Sequence, residues 1–291
     1  MAVRVVTDSA SSVGGPDLER LGIATVPLVV TVGERVLSED HLQDPGFPAQ
    51  VASLADLPRT SQPSPEEFAS TFRSILAGGD DVLSVLISAG LSGTMRSAEM
   101  AADIVRSESP GARIAIVDSR SNSMEEGFAV LAAAEAAAAG AGLDACVEAA
   151  EETTRRTRFL FTPRTLEHLR RGGRISGAAG LLGVMLKIAP VLTAEKGATG
   201  VAAVARGGRA AWRKIASLMR GDVERYGLRQ AAVQFFADRA DALRFAAEVV
   251  EPIAGGGVPI VPIPAVVGVH VGPAVGVVYK TERPMREVMR G

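Results

Sequence analysis

Short hydrophobic runs alternate with longer helical segments through the first half of the chain. The runs are rich in β-branched residues and cover Val3–Val6, Ile23–Val32, Val82–Ile87 and Ile114–Val117. Polar loops connect them to segments of helical composition, such as the Ala-rich stretch from about Met124 to Ala139. Strand–loop–helix units in series predict an open parallel sheet that is covered by helices on both faces.

The hydrophobic pattern changes after about residue 150. Charged helical segments come first, and a Pro- and Val-rich stretch, VPIVPIPAVVGVHVGPAVGVVYK, follows at residues 258–280. Its two apolar runs flank residues 270–273, which we predict to form a turn between two strands. We therefore predict two α/β domains, a parallel one over residues 1–155 and a smaller one over residues 156–291.

The charge distribution supports this division. Residues 1–150 contain 9 Arg and no Lys against 21 acidic residues, a net charge of −12. Residues 151–291 contain 22 Lys and Arg against 12 acidic residues, a net charge of +10. Basic domains often bind nucleic acid, but one Trp and two Tyr in the whole chain provide few surfaces for base stacking. We expect no nucleic acid, and an acidic protein partner for the basic half.

Composition points to a cytoplasmic protein without a membrane span. The 291 residues include a single cysteine, Cys146, so no internal disulfide forms. The N-terminus turns polar after six residues and shows no signal peptide. The most apolar stretch, residues 176–192, is interrupted by Lys187 and Pro190 and is too short to cross a bilayer. Three widely spaced His residues give no metal-ligand spacing, so we expect no metal and no cofactor.

Three predicted strands end in hydroxyl and carboxylate residues at the point where a helix follows. These residues are Thr7, Asp8 and Ser9, then Ser88, Ser92, Gly93 and Thr94, and finally Asp118 and Ser119. Thr60 and Ser61 precede a fourth predicted helix start. Ser64 is its predicted N-cap, and Glu67 completes a capping box. Ligands of parallel sheets collect at the carboxyl ends of strands, where helix N-termini favour anions, so we predict an anion site at this edge.

The type of anion follows from the motifs that the sequence lacks. There is no G-x-x-x-x-G-K-[ST], and no G-x-G-x-x-G follows a predicted strand, so the usual cradles for nucleotide phosphates are missing. Neutral hydroxyls and backbone N–H groups suit a singly charged carboxylate. A serine hydrolase is the alternative, because Ser92, Asp118 and His270 follow the chain order of α/β-hydrolase triads. Thr94, however, stands where the G-x-S-x-G nucleophile motif requires its last glycine.

A second local signature is LEHLRRGGRIS at residues 166–176. Leu166 and Leu169 mark the apolar face of a predicted helix, and Gly172-Gly173 is a predicted C-cap. The glycine-punctuated, alkyl-rich segment Ile175–Leu192 follows. Two interpretations of this segment stay open, the lining of a narrow apolar tunnel and ordinary core packing.

Taken together, these motifs resemble the DegV family of bacterial fatty-acid-binding proteins. The similarity spans nearly the whole chain and includes VTDSASS, TSQPSPEEF, SAGLSGTMRSA, VDSRSNSMEEG, LEHLRRGGRIS and GVHVGPAVGVVY. Met95 departs from the aromatic residue that the family usually has after SGT, and Ala274 departs from the usual glycine after GP. The resemblance implies a parallel α/β domain followed by a smaller α/β domain with a mixed sheet.

The resemblance also implies a function. The protein would hold one long-chain fatty acid, with its carboxylate at the domain junction and its acyl chain in an apolar tunnel. It would present this acid to a separate fatty acid kinase, which forms the acyl-phosphate with ATP for phospholipid synthesis. The protein would then be a carrier subunit and not an enzyme.

Through these motifs, the resemblance also identifies which residues of this chain correspond to the family's site residues. Thr60 and Ser92 would bind the carboxylate, with Ser61, Gly93 and His270 nearby. The strand-end residues Asp8, Ser9, Asp118 and Ser119 remain candidates for the rim of the site. Three basic residues would face the kinase, and these are Arg174, Arg209 and Arg213.

Overall fold

The computed structural model describes residues 2–37, 42, 44, 46–53 and 57–286. Its strands are β1 Val3–Asp8, β2 Ala24–Val26, β3 Val29–Val32, β4 Arg35–Val36, β5 Arg59–Ser61, β6 Asp81–Leu86, β7 Ile114–Asp118, β8 Thr157–Pro163, β9 Ala189–Glu195, β10 Ala198–Ala205, β11 Gln230–Phe236, β12 Ile260–Pro262 and β13 Ala274–Lys280. Its α-helices are Gly15–Leu21, Phe47–Ser53, Pro65–Ala77, Thr94–Glu108, Ser123–Ala138, Leu143–Arg156, Glu167–Arg171, Gly208–Tyr226, Arg239–Phe245, Glu251–Ala254 and Ala265–Val271. A 3₁₀ helix covers Ser176–Lys187, and a π-helical turn covers Ala246–Val250.

The chain forms two compact units. The first contains residues 1–29 and 60–154, and the second contains residues 30–59 and 155–291. Residues 30–59, which the sequence pattern assigns to the first domain, therefore belong with the second unit. The helix Phe47–Ser53 lies beside the helix Ala265–Val271 in that unit. No local pattern predicts this pairing, because the two helices are far apart in sequence.

The first unit is built on a parallel sheet with the strand order β2-β1-β6-β7. Successive residues of β6 point to opposite faces of this sheet. Leu83 packs with the helices between Ser123 and Arg156 on one face. Val82 packs with the helices Pro65–Ala77 and Thr94–Glu108 on the other face. The predicted parallel sheet with helices on both faces is confirmed.

The helix Pro65–Ala77 begins with the predicted capping box. The Ser64 hydroxyl accepts the N–H of Glu67 at 3.3 Å, and the Glu67 carboxylate accepts the N–H of Ser64 at 2.7 Å. Phe68 and Phe72 anchor the helix to the sheet, and both are fully buried. This start fixes the chain direction directly after β5, which carries Thr60 and Ser61.

The second unit contains a six-stranded sheet with the order β10-β9-β8-β13-β11-β12. Neighbouring strands are antiparallel except for β11 and β12, which are parallel, so the sheet is mixed as the resemblance implies. The helix Gly208–Tyr226 covers one face, where Trp212 and Ile215 join the same apolar cluster as Leu160 of β8 and Val277 of β13.

The prediction for residues 270–273 is wrong, because His270 lies in the helix Ala265–Val271 and not in a turn between strands. Pro264 is the N-cap, and its carbonyl accepts the N–H of Gly268 at 2.8 Å. The helix carries buried valines around its circumference, and Gly268 lies directly against the ring of Phe236. A helix buried on all sides has no polar face, so its sequence has the continuous apolar pattern of a strand.

Candidate functional site

The strand ends that the sequence singles out are neighbours in the first unit. Because β1, β6 and β7 are adjacent and parallel, their carboxyl ends lie at one edge of the sheet. Asp8 ends β1, the loop from Ile87 to Gly93 follows β6, and Asp118 ends β7. The loop that carries Ser92 is therefore flanked by an aspartate on each side.

The two aspartates hold this loop through its backbone. Asp8 accepts the N–H of Ala10 through Oδ1 and the N–H of Ile87 through Oδ2, each at 2.8 Å. Asp118 accepts the N–H of Arg120 at 2.7 Å and a further backbone hydrogen bond from Ala89. Their carboxylates therefore position the loop after β6. Whether they also form the rim of an anion site stays a prediction.

Burial changes the protonation of the carboxyl groups at this edge. Burial raises the pKa of Asp8 to about 6, although the two N–H groups oppose the shift. Burial also raises the pKa of Asp118, and it raises the pKa of Glu126 well above its usual range with a contribution from the Asp8 charge. Glu126 accepts the Thr7 hydroxyl at 3.4 Å through Oε1, and its Oε2 has no partner among the residues that are described. Glu126 therefore keeps its proton to higher pH than a free carboxyl group, which limits negative charge beside the loop.

The other two rim candidates are engaged within their own loops. The Ser9 hydroxyl accepts the N–H of Leu28 at 2.9 Å. The buried Ser119 hydroxyl donates to the Ser121 carbonyl at 3.2 Å and accepts the Ser121 N–H at 3.3 Å. These bonds shape the strand ends, and a direct role for Ser9 and Ser119 in anion binding stays a prediction.

Ser92 and Gly93 stand at the start of the helix Thr94–Glu108. Gly93 is the N-cap and provides no side-chain cap, and the first helical turn has no acidic residue. Ser92 is half-buried, and its hydroxyl lies 2.9 Å from Thr94 Oγ1 and accepts the Thr94 N–H at 3.3 Å. The backbone N–H groups of a first helical turn and the positive end of the helix dipole make this start suitable for an anion.

The TSQ motif meets this helix start through Gln62. A Cβ added to Gly93 would lie 2.9 Å from Nε2 of Gln62, so the amide rests directly on the Gly93 backbone. Thr60, two residues earlier, is half-buried, and Ser61 is exposed. Gln62 is absent from the site that the sequence predicts. Gly93 is the signal in the sequence that could have identified Gln62, because a glycine has no Cβ and therefore leaves space for a neighbouring side chain.

His270 lies in the second unit, next to the LEHLRRGG motif. Its imidazole rests on Gly172, and Arg174 donates to the Gly172 carbonyl at 2.6 Å. Burial, with smaller contributions from the nearby charges of Arg174 and His168, lowers the pKa of His270 to about 4. His270 is therefore a neutral imidazole at physiological pH.

The two predicted kinase-facing residues on the helix Gly208–Tyr226 differ in their surroundings. Arg209 forms an ion pair with Glu248, and its guanidinium lies 4.9 Å from the centre of the Trp212 ring. Arg213 is exposed and has no ion-pair partner within the described ranges. Arg213 is thus the more available of the two for a partner.

The hydrolase alternative finds little support in the first unit. The Asp118 carboxylate already accepts backbone N–H groups, and the closest partner of the Ser92 hydroxyl is Thr94, not a base. No cluster of three His, Cys, Asp or Glu side chains suited to a metal ion occurs among the residues described. Over the same residues, no helix is both long and apolar enough to span a membrane.

Solved structures with the same fold cover almost the whole chain. A DegV family protein from Thermus thermophilus, described by its fatty acid binding, matches with a TM-score of 0.86 and 34% identity over 97% of this chain and 100% of its own. DegV of Bacillus subtilis, described as a fatty acid binding protein, matches with a TM-score of 0.84 and 29% identity over 97% of this chain and 99% of its own.

Sequence relatives agree with the structural ones. A DegV domain-containing protein of Clostridium acetobutylicum is 37% identical over 98% of this chain and 100% of its own length. The family model described as "Uncharacterised protein, DegV family" matches residues 2–282. On this evidence, the chain belongs to the DegV family.

Proposed function

We propose that this protein binds one long-chain fatty acid and presents its carboxylate to a separate fatty acid kinase. The observation that carries this proposal is the end-to-end similarity to the Thermus thermophilus protein, whose described property is fatty acid binding. The first unit supports it independently, because Ser92 and an uncapped helix start supply hydrogen-bond donors without a phosphate-binding motif.

The proposed roles follow from the chemistry of the ligand. A carboxylate that leaves water requires several donors, and Thr60, Ser92 and the N–H groups after Gly93 are of the right type. Ser61 and His270 remain predicted members of this site. The acyl chain needs an apolar lining, since each buried CH₂ contributes roughly 0.8 kcal/mol. We assign this lining to the segment Ile175–Leu192, of which the side chains of residues 182–187 lie outside the described part.

Fatty acid binding is tested by removing and restoring the ligand. The protein is unfolded, delipidated, refolded and mixed with saturated and unsaturated acids of about 14 to 18 carbons, the lengths at which burial of the chain is strongly favourable. Saturable binding at one acid per chain is expected. Failure of the refolded protein to bind any of these acids, with a circular dichroism spectrum equal to that of untreated protein, would contradict the proposal.

The kinase partnership rests on the charge of residues 151–291, which is +10. Opposite charges accelerate association and make it sensitive to salt. Arg213→Ala is expected to slow acyl-phosphate formation and to reduce its salt dependence while fatty acid binding is kept. Arg209→Ala acts in the same direction, but it also removes the ion pair with Glu248. Arg20→Ala, at an exposed ion pair of the first unit, is the matched control. Equal kinase rates for Arg213→Ala and the control would exclude this docking surface.

A further inference from the structure

The loop after β6 is held in place by three successive backbone N–H groups, each bound to a different neighbouring segment. Ile87 donates to the Asp8 carboxylate at 2.8 Å, Ser88 donates to the Ser121 carbonyl at 2.9 Å, and Ala89 donates to the Asp118 carboxylate. The Ser92 N–H donates to the Ser88 carbonyl at 3.1 Å. A closed turn therefore connects these three contacts to Ser92, the residue predicted to bind the carboxylate.

Two of the three acceptors can take up a proton, and Asp8 is the more deeply buried of them. Asp8 is fully buried at the end of β1, whereas Asp118 is half-buried and has the charge of Arg120 nearby. Burial raises the pKa of Asp8 to about 6, and the N–H groups of Ile87 and Ala10 are the contacts that oppose this shift. The charged and the neutral form of Asp8 are therefore both accessible close to physiological pH.

The elements packed against β1 bring mainly acidic groups towards Asp8. In the described part of the chain these groups are Glu126 and Glu125 on the helix Ser123–Ala138 and Asp118 beside Arg120, while β2 has no charged residue and Asp81 of β6 lies at the opposite end of the sheet, paired with Arg113. The Asp8 charge helps to raise the pKa of Glu126, which therefore stays neutral. The Ser121 hydroxyl donates to Glu125. A proton taken up near neutral pH is thus assigned to Asp8.

A proton on Asp8 removes one of its two acceptor oxygens. A neutral carboxyl group keeps one strong acceptor, and its other oxygen becomes a donor. Ala10 keeps its bond to Oδ1, because the turn that contains it is also closed by the Asp8 carbonyl, which accepts the Ser11 hydroxyl at 3.1 Å. The bond from Ile87 to Oδ2 joins two separate strand ends and is the one that is lost.

We propose that Asp8 is a proton-linked positioning residue of the fatty acid site. Its carboxylate holds the loop Ile87–Gly93 in the geometry that binds the ligand, and protonation of Asp8 releases Ile87 and weakens binding of the acid. This inference rests on the proposed function. It adds a dependence on pH that originates in the protein and is separate from the titration of the fatty acid itself.

The release of the loop is tested without any ligand. The amide proton of Ile87 is followed by nuclear magnetic resonance in the delipidated, full-length protein between pH 5 and 8. Its chemical shift is expected to titrate with a midpoint near 6, because the charge of its acceptor is lost there. The amide proton of Ser88, which is bound to a carbonyl group, is the internal control and should move much less.

Two substitutions identify the carboxyl group that takes up the proton. Asp8→Asn has the shape of the neutral acid and should abolish the titration of the Ile87 signal. Glu126→Gln replaces a carboxyl group that is already neutral, so the Ile87 signal should titrate as in wild type. A constant Ile87 signal in wild type would overturn the proposal. Loss of the titration in Glu126→Gln would also overturn it, because the proton would then belong to Glu126.

The effect on the ligand is measured as a comparison of variants, which removes the titration of the fatty acid because all proteins share it. Asp8→Asn should bind the acid about tenfold more weakly than wild type at pH 7.5, as expected for the loss of one hydrogen bond to a charged group. At pH 5 the difference should shrink to about twofold, since most wild-type chains then carry the proton. Asp103→Asn, at an exposed position of the same unit, is the matched control and should bind as wild type.

Equal affinities of Asp8→Asn and wild type at pH 7.5 would overturn the link between Asp8 and the ligand. Failure of the wild type to bind any acid at both pH values would instead contradict the proposed function. The Ile87 signal is recorded without ligand, so it still decides in that case whether the proton releases the loop. The two failures are therefore distinguishable.

Discussion

The imidazole ring of His270 lies directly on the backbone of Gly172, so closely that a Cβ at position 172 would overlap Nδ1. A matching contact joins the His168 ring to Gly272, where a Cβ would lie 2.5 Å from Cδ2. Gly272 also has a φ of +69°, which favours glycine. The two sequence motifs LEHLRRGG and GVHVGP are therefore one packed arrangement, with each histidine resting on a glycine of the other motif.

Replacing Gly172 tests this contact. Gly172→Ala forces the His270 ring to move, and overpacking of this kind typically costs about 1–3 kcal/mol in the free energy of unfolding. Urea unfolding measures the loss. Gly221→Ala is the matched control, because a Cβ at this exposed helical position meets no atom within 4 Å. The control should be more stable than wild type by roughly 0.5–1 kcal/mol. Equal stability of Gly172→Ala and wild type would show that the ring does not occupy this position.

The lowered pKa of His270 predicts a contribution to stability that depends on pH. Burial, with Arg174 and His168, moves this pKa from 6.5 to about 4. The folded protein therefore favours the neutral ring. Between pH 6.5 and 4 the unfolded chain binds a proton at this histidine that the folded protein does not bind. The free energy of unfolding is therefore highest above pH 6.5, and it falls by up to about 3 kcal/mol as the pH falls towards 4.

The contribution of Asp8 to stability changes with pH in the opposite direction. Its raised pKa of about 6 makes the folded state bind a proton that the unfolded chain releases near 3.8, so protonation of Asp8 stabilises the fold as the pH falls. Because both groups titrate in this range, the effect of His270 is measured by comparing wild type with His270→Gln. The free energy of unfolding of each protein is determined in urea at pH 7 and at pH 4.5. His270→Gln should lose less stability than wild type over this interval. An equal loss in both proteins would mean that His270 titrates normally.

Gly93→Ala tests the contact between the TSQ motif and the helix start. The added methyl group displaces the amide of Gln62, which is the far end of a flexible, exposed side chain, and Gly93 has an ordinary φ of −77°. Thermal stability should therefore change little, while fatty acid binding weakens. Gln62→Ala should weaken binding to a similar degree, and combining the two should add little. Full binding by Gly93→Ala would place the carboxylate elsewhere.

Ser92 is expected to act as a hydrogen-bond donor and not as a nucleophile. Ser92→Ala should weaken fatty acid binding by about 1–3 kcal/mol, which is the loss expected when a buried charged acceptor lacks a partner. Wild-type protein should remain unlabelled by a fluorophosphonate probe and show background ester hydrolysis. Stoichiometric labelling at Ser92 would instead support the serine hydrolase.

The sequence predicts the elements whose signals are local. The capping box of Ser64 and Glu67 and the glycine C-cap after Arg171 are set by residues within one turn, and the structure contains both. The parallel sheet of the first unit follows from β-rich runs that alternate with helices. Each of these predictions rests on chemistry between near neighbours in the chain.

Other features depend on contacts between distant residues. The helix that contains His270 is buried around its circumference, so it lacks the polar face by which a helix is recognised in a sequence. The contact between Gln62 and Gly93 joins residues that are 31 positions apart, and the glycine at position 93 is the one feature of the sequence that indicates it. The same holds for residues 30–59, which belong to the second unit, where the helix Phe47–Ser53 lies beside the distant helix Ala265–Val271.

The proposed function requires that each chain carries one fatty acid. Mass spectrometry under native conditions, followed by denaturation of the same purified sample, detects this bound acid without any added ligand. We expect a native mass that exceeds the chain mass by one long-chain acid, and release of that acid in near-equimolar amount on denaturation. A native mass equal to that of the bare chain, in protein that also fails to take up added acid, would show that the chain is not a fatty acid carrier.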